Sequence, residues 1–209
     1  MDVTDTRDRL LDAAADLFYR EGVSVGVEAL TRAAGVSKRS MYQLFGSKDE
    51  VVAAALDRIG PGFNASLLPA DDLPGGPRER VLHVFRVLDE VAVEPGFHGC
   101  PFVAASIEIK APDHPARAVA LRYKDRLTAF FRHEATVGGV ADPERLARQL
   151  TMTFDGASAW AVMHGGGLDG EGVRMAEALL DAAGLTGNRE RPGSHEGTGP
   201  SRAEDQQLL

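Results

Sequence analysis

The sequence predicts an all-α protein, and three observations carry that prediction. Apolar residues recur three and four positions apart in segment after segment, helix-capping and helix-stopping residues sit between the segments, and no stretch alternates apolar with polar residues between hairpin turns. The chain has 209 residues, 44% hydrophobic and 26% charged, an ordinary globular composition with room for one large or two small domains.

The elements follow in order. Leu10, Leu11, Ala14, Leu17 and Phe18 share one face of a first helix that ends at Gly22. In "VGVEALTRAAG" (25–35), Val27, Leu30 and Ala34 line one side of a two-turn helix, and Gly35 is placed to close it in the left-handed conformation. Ser37 caps a third helix, "KRSMYQLF", in which Met41, Leu44 and Phe45 point at the core and which Gly46 stops. Ser47 and Glu50 fit an S-x-x-E capping box ahead of a fourth helix beginning in "VVAAAL". Two Gly/Pro stretches, "GPGF" at 60–63 and "LPADDLPGGP" at 68–77, are expected to separate this unit from the rest. Five more helices are predicted, over about 78–94, 101–110, 114–137, 142–164 and 171–183, the fourth of these opened by the Asp142–Pro143 pair. The polar stretch from Thr186 is expected to be disordered.

Charge narrows the function. The formal net charge is -8, with 8 basic against 10 acidic residues over 1–60 and 15 against 21 beyond, so polyanion binding over the whole surface is excluded and any nucleic-acid site must be local. One window is clean. "RAAGVSKRSMYQLFGSKDE" (32–50) holds Arg32, Lys38, Arg39 and Lys48 and no acid before Asp49. Helix, glycine turn, helix is the helix-turn-helix arrangement, whose second helix fits a major groove. With Met41, Leu44 and Phe45 inward, Lys38, Arg39, Ser40 and Gln43 face outward, where Gln can pair with adenine and Arg with guanine or a phosphate. Tyr42 can reach a backbone oxygen, and Lys48 adds its ammonium to the positive N-terminus of the fourth helix, a phosphate clamp.

"AAGVSKRSMYQLFGSKDEV" (33–51) resembles the N-terminal signature of the TetR family of bacterial transcriptional regulators, A-x-x-A-G-V-S-x-x-x-[LM]-Y-x-x-F-x-S-K-[DE]-x-L, and "LLDAAADLFYREG" resembles that family's first helix. The resemblance implies a three-helix DNA-binding head over residues 1–47 and a helical effector-binding and dimerisation body over 48–185, with residues 186–209 as the tail. It further implies a ligand-responsive regulator, a repressor, gripping a near-palindromic double-stranded operator as a homodimer. Ser37, Lys38, Arg39, Ser40, Tyr42 and Gln43 fall on the family's recognition helix and Lys48 on its phosphate-contacting lysine. Val25 and Gly26 depart from the Thr-Thr or Thr-Ser common at that place, and Arg39 stands where a small residue is frequent. The alternative is a helical binding or scaffold protein whose helix-turn-helix no longer binds DNA.

Family members sense a small molecule in the body and dimerise through the last two helices. Leu146, Leu150, Thr153, Ala157, Ala161 and His164 on one side of the penultimate helix, with Val173, Ala176, Leu179, Leu180 and Ala183 on the last, are the expected material for a four-helix interface. Phe102, Ser106, Phe131, Asp155 and Trp160 are the expected pocket for an effector whose identity stays open.

Other chemistry fails on context. "HGGG" (164–167) matches an oxyanion-hole string without a G-x-S-x-G elbow, and "GGGLDG" (165–170) matches a dinucleotide fingerprint without a strand before it, so no enzyme is expected. Cys100, the only cysteine, is taken as a small buried thiol rather than a metal ligand beside His98, and neither cofactor nor metal is expected. No apolar run approaches the ~18 residues of a membrane span. The opening "MDVTDTRDRL" lacks the basic-then-apolar order of a signal peptide, so a cytoplasmic protein with no membrane partner is expected.

Overall fold

A computed structural model describes residues 3–71 and 73–186, which form nine α-helices and no strand. They are α1 (Val3–Glu21), α2 (Val27–Ala34), α3 (Lys38–Leu44), α4 (Lys48–Leu67), α5 (Pro77–Ala92), α6 (Pro101–Glu108), α7 (Pro115–Val137), α8 (Pro143–His164) and α9 (Glu171–Ala182). Except for Thr186, the tail lies outside the described residues.

In the head, α1 packs on α2 and α4, and α3 closes the group from the side. Leu10, Leu30, Met41 and Val51, one from each of the four helices, are buried side by side in its core. In the body, α7 and α8 form an antiparallel hairpin on which α4, α5, α6 and α9 pack. Phe85, Phe131 and Phe154 meet at its centre, with Phe85 stacked on Phe131 at 5.9 Å and edge-on to Phe154 at 6.3 Å between ring centroids. Truncating such a ring, as in Phe131→Ala, costs about 3–5 kcal/mol. Glu134, 3% exposed, accepts a 2.8 Å bond from Arg80, whose other nitrogen donates to the Ala70 carbonyl, so the buried carboxylate is paired as burial requires.

The helix ends confirm the capping residues. Asp142 accepts from the Arg145 N–H at 3.0 Å, Ser37 from the Ser40 N–H at 3.0 Å, and Gly35 closes α2 in the left-handed conformation at φ 62°. The end of α3 differs from expectation: Phe45, in extended backbone, turns its ring into the core, so the helix ends at Leu44, one residue earlier than expected. Ser47 accepts from the Glu50 N–H at 3.2 Å, but the returning carboxylate bond, 2.9 Å, goes to the Gly46 N–H rather than to the cap itself.

The "GPGF" stretch is no boundary. α4 runs straight through Gly60 and Pro61 and ends only at Leu67. Proline at 61 cannot donate to the Asp57 carbonyl one turn earlier, a loss that ordinarily breaks a helix. Here the Tyr123 hydroxyl from α7 lies 3.1 Å from that carbonyl and 2.8 Å from Asp57 Oδ1, so a single donor stands beside the carbonyl that lost its own and is shared with the closer carboxylate. Gly60 makes the approach possible, since a Cβ there would stand 1.9 Å from the Tyr123 ring. Tyr123 in turn stacks on Phe102 at 4.8 Å.

Among the contacts that tie α1–α4 to the later helices are these. Glu108 at the end of α6 accepts from the Val23 N–H at 3.0 Å, and its carboxylate fills the space a side chain on Gly22 would need. Tyr19 accepts from the His98 N–H at 3.0 Å. His114 Nδ1 accepts from the Ala116 N–H, which leaves the proton on Nε2 to face Asp49 at 3.3 Å.

Candidate nucleic-acid interface

The short α3 is anchored by Met41, fully buried, and by Phe45 just beyond it, under the Arg7 guanidinium at 5.1 Å from the ring centroid. That anchorage leaves Lys38, Arg39, Tyr42 and Gln43 exposed on the opposite face, with Ser40 half-buried. The expected outward set therefore shares one surface, although its members are not equally free.

Ser37 is spent on capping, since it takes the Ser40 N–H and its Oγ lies 2.8 Å from the Ser40 hydroxyl. Lys38 is paired with Glu28 of α2; the carboxylate raises the lysine's affinity for its proton, and the ammonium holds Glu28 below the usual carboxylate range. Arg39, Tyr42 and Gln43 make no side-chain hydrogen bond to another described residue. Tyr42 keeps 50% of its surface exposed, an uncommon degree for a tyrosine on a folded surface. Lys48 is half-buried at the start of α4 and donates to the Val23 carbonyl at 2.7 Å. Burial pushes its pKa down, with Asp49 and Glu108 opposing. One of its three N–H donors is thus committed to the α1–α2 turn and two remain.

Two partners here escaped the sequence. Glu28 sits ten positions before Lys38, and Val23 holds Lys48 through its carbonyl while giving its N–H to Glu108. Nothing in the pattern of residue types marks either: a backbone carbonyl has no signature, and Glu28 belongs to a different helix from the lysine it pins.

The five residues expected to form an effector pocket do not meet around one space. Phe131 is fully buried against Phe85, and Phe102 is buried between Phe63 and Tyr123. Ser106 gives its hydroxyl proton to the Phe102 carbonyl at 2.7 Å. Asp155 forms an ion pair with Lys124, with burial raising its pKa and the ammonium opposing. Trp160 is 57% exposed on the outer face of α8, stacked on His164 at 3.9 Å. Aromatic composition had suggested a lining, but the rings divide between a filled core and a bare surface.

The expected dimer material separates in the same way. Leu146, Leu150 and Ala161 of α8 and Ala176 and Leu180 of α9 face the protomer's own core. The exposed apolar stripe is instead Met152, Trp160 and Met163 on α8 with Met175 on α9. Between them runs an open groove of about 570 Å³ whose floor includes the small residues Gly156, Ala157 and Gly172. Cys100 is 6% exposed while the neighbouring His98 is exposed and meets Tyr19 edge-on, so the two point apart. The glycine-rich stretch from Gly165 to Gly170 joins α8 to α9, with a helix before it and a helix after it.

Comparison with known proteins agrees with this geometry. Residues 10–55 match the family model described as "Bacterial regulatory proteins, tetR family". A TetR transcriptional regulator from Streptomyces avermitilis is 52% identical, with a TM-score of 0.83 over 87% of this chain and 99% of that one. A TetR-family regulator from Streptomyces coelicolor is 28% identical, with a TM-score of 0.77 over 86% and 96%. The regulator CifR, solved with a 26-bp double-strand operator DNA, shares the fold at 24% identity, with a TM-score of 0.67 over 84% and 95%. The chain, with its helix-turn-helix head and all-α body, belongs to the TetR family of DNA-binding transcriptional regulators.

Proposed function

We propose that the protein is a ligand-responsive repressor that binds a near-palindromic operator as a homodimer in the cytoplasm. Residues 1–47 act as the DNA-binding head and 48–185 as the effector-binding and dimerisation body. The observation that carries this reading is the α3 face: Arg39, Tyr42 and Gln43 are exposed, without a side-chain hydrogen bond to another described residue, on a helix anchored by Met41. An arginine and a glutamine so placed can each make two hydrogen bonds to a base edge. Lys38, Ser40 and the remaining donors of Lys48 serve the phosphates, and Ser37 contributes by holding the first turn of α3 in shape.

Lys38 reaches a phosphate only by exchanging Glu28 for it, an exchange between two exposed partners that costs little. Dimerisation uses the apolar stripe of α8 and α9, in keeping with the tendency of a large exposed apolar surface to be an interface. Two heads related by a two-fold axis then meet half-sites about one helical turn, ~34 Å, apart or a multiple of it. Catalysis forms no part of this reading.

The test is a titration of the protein with DNA from its own upstream region, by fluorescence anisotropy at several salt concentrations. Specific binding that weakens linearly as log K against log salt is the expected result. A dimer that shows no binding to that DNA at low salt overturns the reading and favours a helical protein with a silent helix-turn-helix.

A further inference from the structure

The body encloses a narrow cavity of about 50 Å³ between α4, α5, α8 and the chain just before α6. Phe63, Leu88, Phe97 and Phe154 are among its lining residues, none of which carries a charge. Its polar groups are few. Ser66 gives its hydroxyl proton to the Phe63 carbonyl at 2.9 Å. Ser158, 2% exposed, accepts the Cys100 N–H at 3.0 Å, and its own hydroxyl hydrogen has no acceptor among the described residues. A buried donor left without a partner costs about 1–3 kcal/mol, and this one lies on the cavity wall.

Resting on the ligand-responsive reading above, we infer that this cavity binds a neutral, largely apolar molecule through one hydrogen-bond acceptor, such as a ketone or ester carbonyl, that takes the Ser158 hydroxyl hydrogen. Charged ligands are disfavoured because an unpaired ion in an apolar site carries a desolvation cost of several kcal/mol. The neighbouring charges offer no relief: Lys124 and Asp155 are paired with each other, and the Lys124 ammonium sits over the Phe154 ring at 5.1 Å from its centroid. The Cys100 thiol, which burial holds protonated, is a weak second donor rather than a nucleophile. Size adds a further limit. The space is about a third of the ~150 Å³ that accommodates benzene in an engineered apolar cavity. It therefore holds a compact group, with any longer tail leaving past Val91, which lines the cavity and is 39% exposed.

The full-length protein is titrated with acetone and, as matched probes, with isobutene, acetate and isopropylammonium, following the Cys100 and Ser158 amide resonances. Saturable shifts with acetone, at an affinity roughly ten-fold above that of the hydrocarbon, are expected. Ser158→Ala should erase that margin while leaving hydrocarbon binding in place. Val91→Phe, a change at the accessible mouth that spares the Ser158 hydrogen bond, should weaken both. Anion or cation binding as strong as that of the ketone, a ketone preference that survives Ser158→Ala, or no saturable shift with acetone would overturn the inference. Operator affinity in the same samples separates the two levels. Ketone binding that leaves operator affinity unchanged supports the ligand class and overturns ligand responsiveness, whereas absence of ketone binding with intact operator binding overturns the ligand class alone.

Discussion

Two faces lack partners among the described residues, and they are opposite in chemistry. On α3, Arg39, Tyr42 and Gln43 are polar or amphipathic, and each is set on a helix held by one buried methionine. On α8 and α9, Met152, Trp160 and Met175 are apolar and line an open groove that also includes glycines, Ala157, Asp169 and Glu171, and Met163 is exposed on α8 as well. The first kind of face gains little by meeting another protein and much by meeting a polyanion with ordered acceptors. The second gains by leaving water altogether. The two faces thus suit partners held by different physical forces, which salt and apolar burial can address separately.

The largest expected effect comes from reversing the apolar face. Trp160→Asp combined with Met163→Asp places two carboxylates where a two-fold partner would sit, and central aromatic anchors of interfaces are worth about 2–4 kcal/mol each. Sedimentation should show a dimer dissociation constant raised by at least ~100-fold, with operator binding lost as a consequence. A double variant that stays dimeric would move the interface elsewhere. Next in size, Arg39→Ala or Gln43→Ala should cost about 1–3 kcal/mol on the preferred operator and much less on base-substituted ones, with the dimer untouched. Equal loss on every sequence would reassign these residues to the phosphates.

Lys48→Gln should weaken binding alike on all sequences and reduce the salt slope by about 1. Because Lys48 also holds the Val23 carbonyl, thermal unfolding of the same variant is needed to separate DNA contact from a loosened turn. Glu28→Gln should have the smallest effect and the opposite sign, a modest gain in operator affinity with a steeper salt dependence, since it frees Lys38. Lost affinity in that variant would show that Glu28 positions Lys38 rather than competing for it.

A separate test concerns pH and the inner side of the second face. Asp89 of α5 lies near the Arg174 guanidinium and Asp169, with one carboxylate oxygen buried and without a hydrogen bond, and burial raises its pKa. A carboxyl bound more tightly to its proton in the folded state costs stability above that raised value, and the cost disappears as pH falls below the unfolded value of about 3.9. Asp89→Asn should therefore be neutral or slightly stabilising near pH 7, with its advantage over the parent shrinking on acidification in denaturant titrations. A variant less stable near pH 7 would mean that the attraction to Arg174 outweighs desolvation.

The α3 face was legible in the sequence because short-range rules determine it. Ser37 caps, Gly35 turns, and the spacing of Met41 and Phe45 assigns the remaining side chains to solvent. The long helices of the body were legible for the same reason, down to Pro143 and His164 as the ends of α8. What could not be read locally depends on residues far apart in the chain. The Tyr123 hydroxyl that meets Asp57 beside Pro61 arrives from α7, and Trp160 and Phe131 differ in burial although both are aromatic residues on long helices. Composition reveals which residues can line a pocket or an interface; the packing of α7 on α8 decides which are used up in the core. Ser158 illustrates the limit, since a serine inside a helix among alanines gives no sign that its hydroxyl will lack a partner.

Consider finally the unbroken α4. A helix of 20 residues runs from Lys48, beside the exposed α3 face, past Pro61 into the body. With a rise of ~1.5 Å per residue, the span from Pro61 to Lys48 is a lever arm of about 20 Å. A tilt of about 5° at the proline end therefore displaces the head end by about 2 Å, several times the ~0.5 Å range over which a hydrogen bond to a base is kept. Tyr123, resting on Gly60 and holding the Asp57 carbonyl, stands at the fulcrum of that arm.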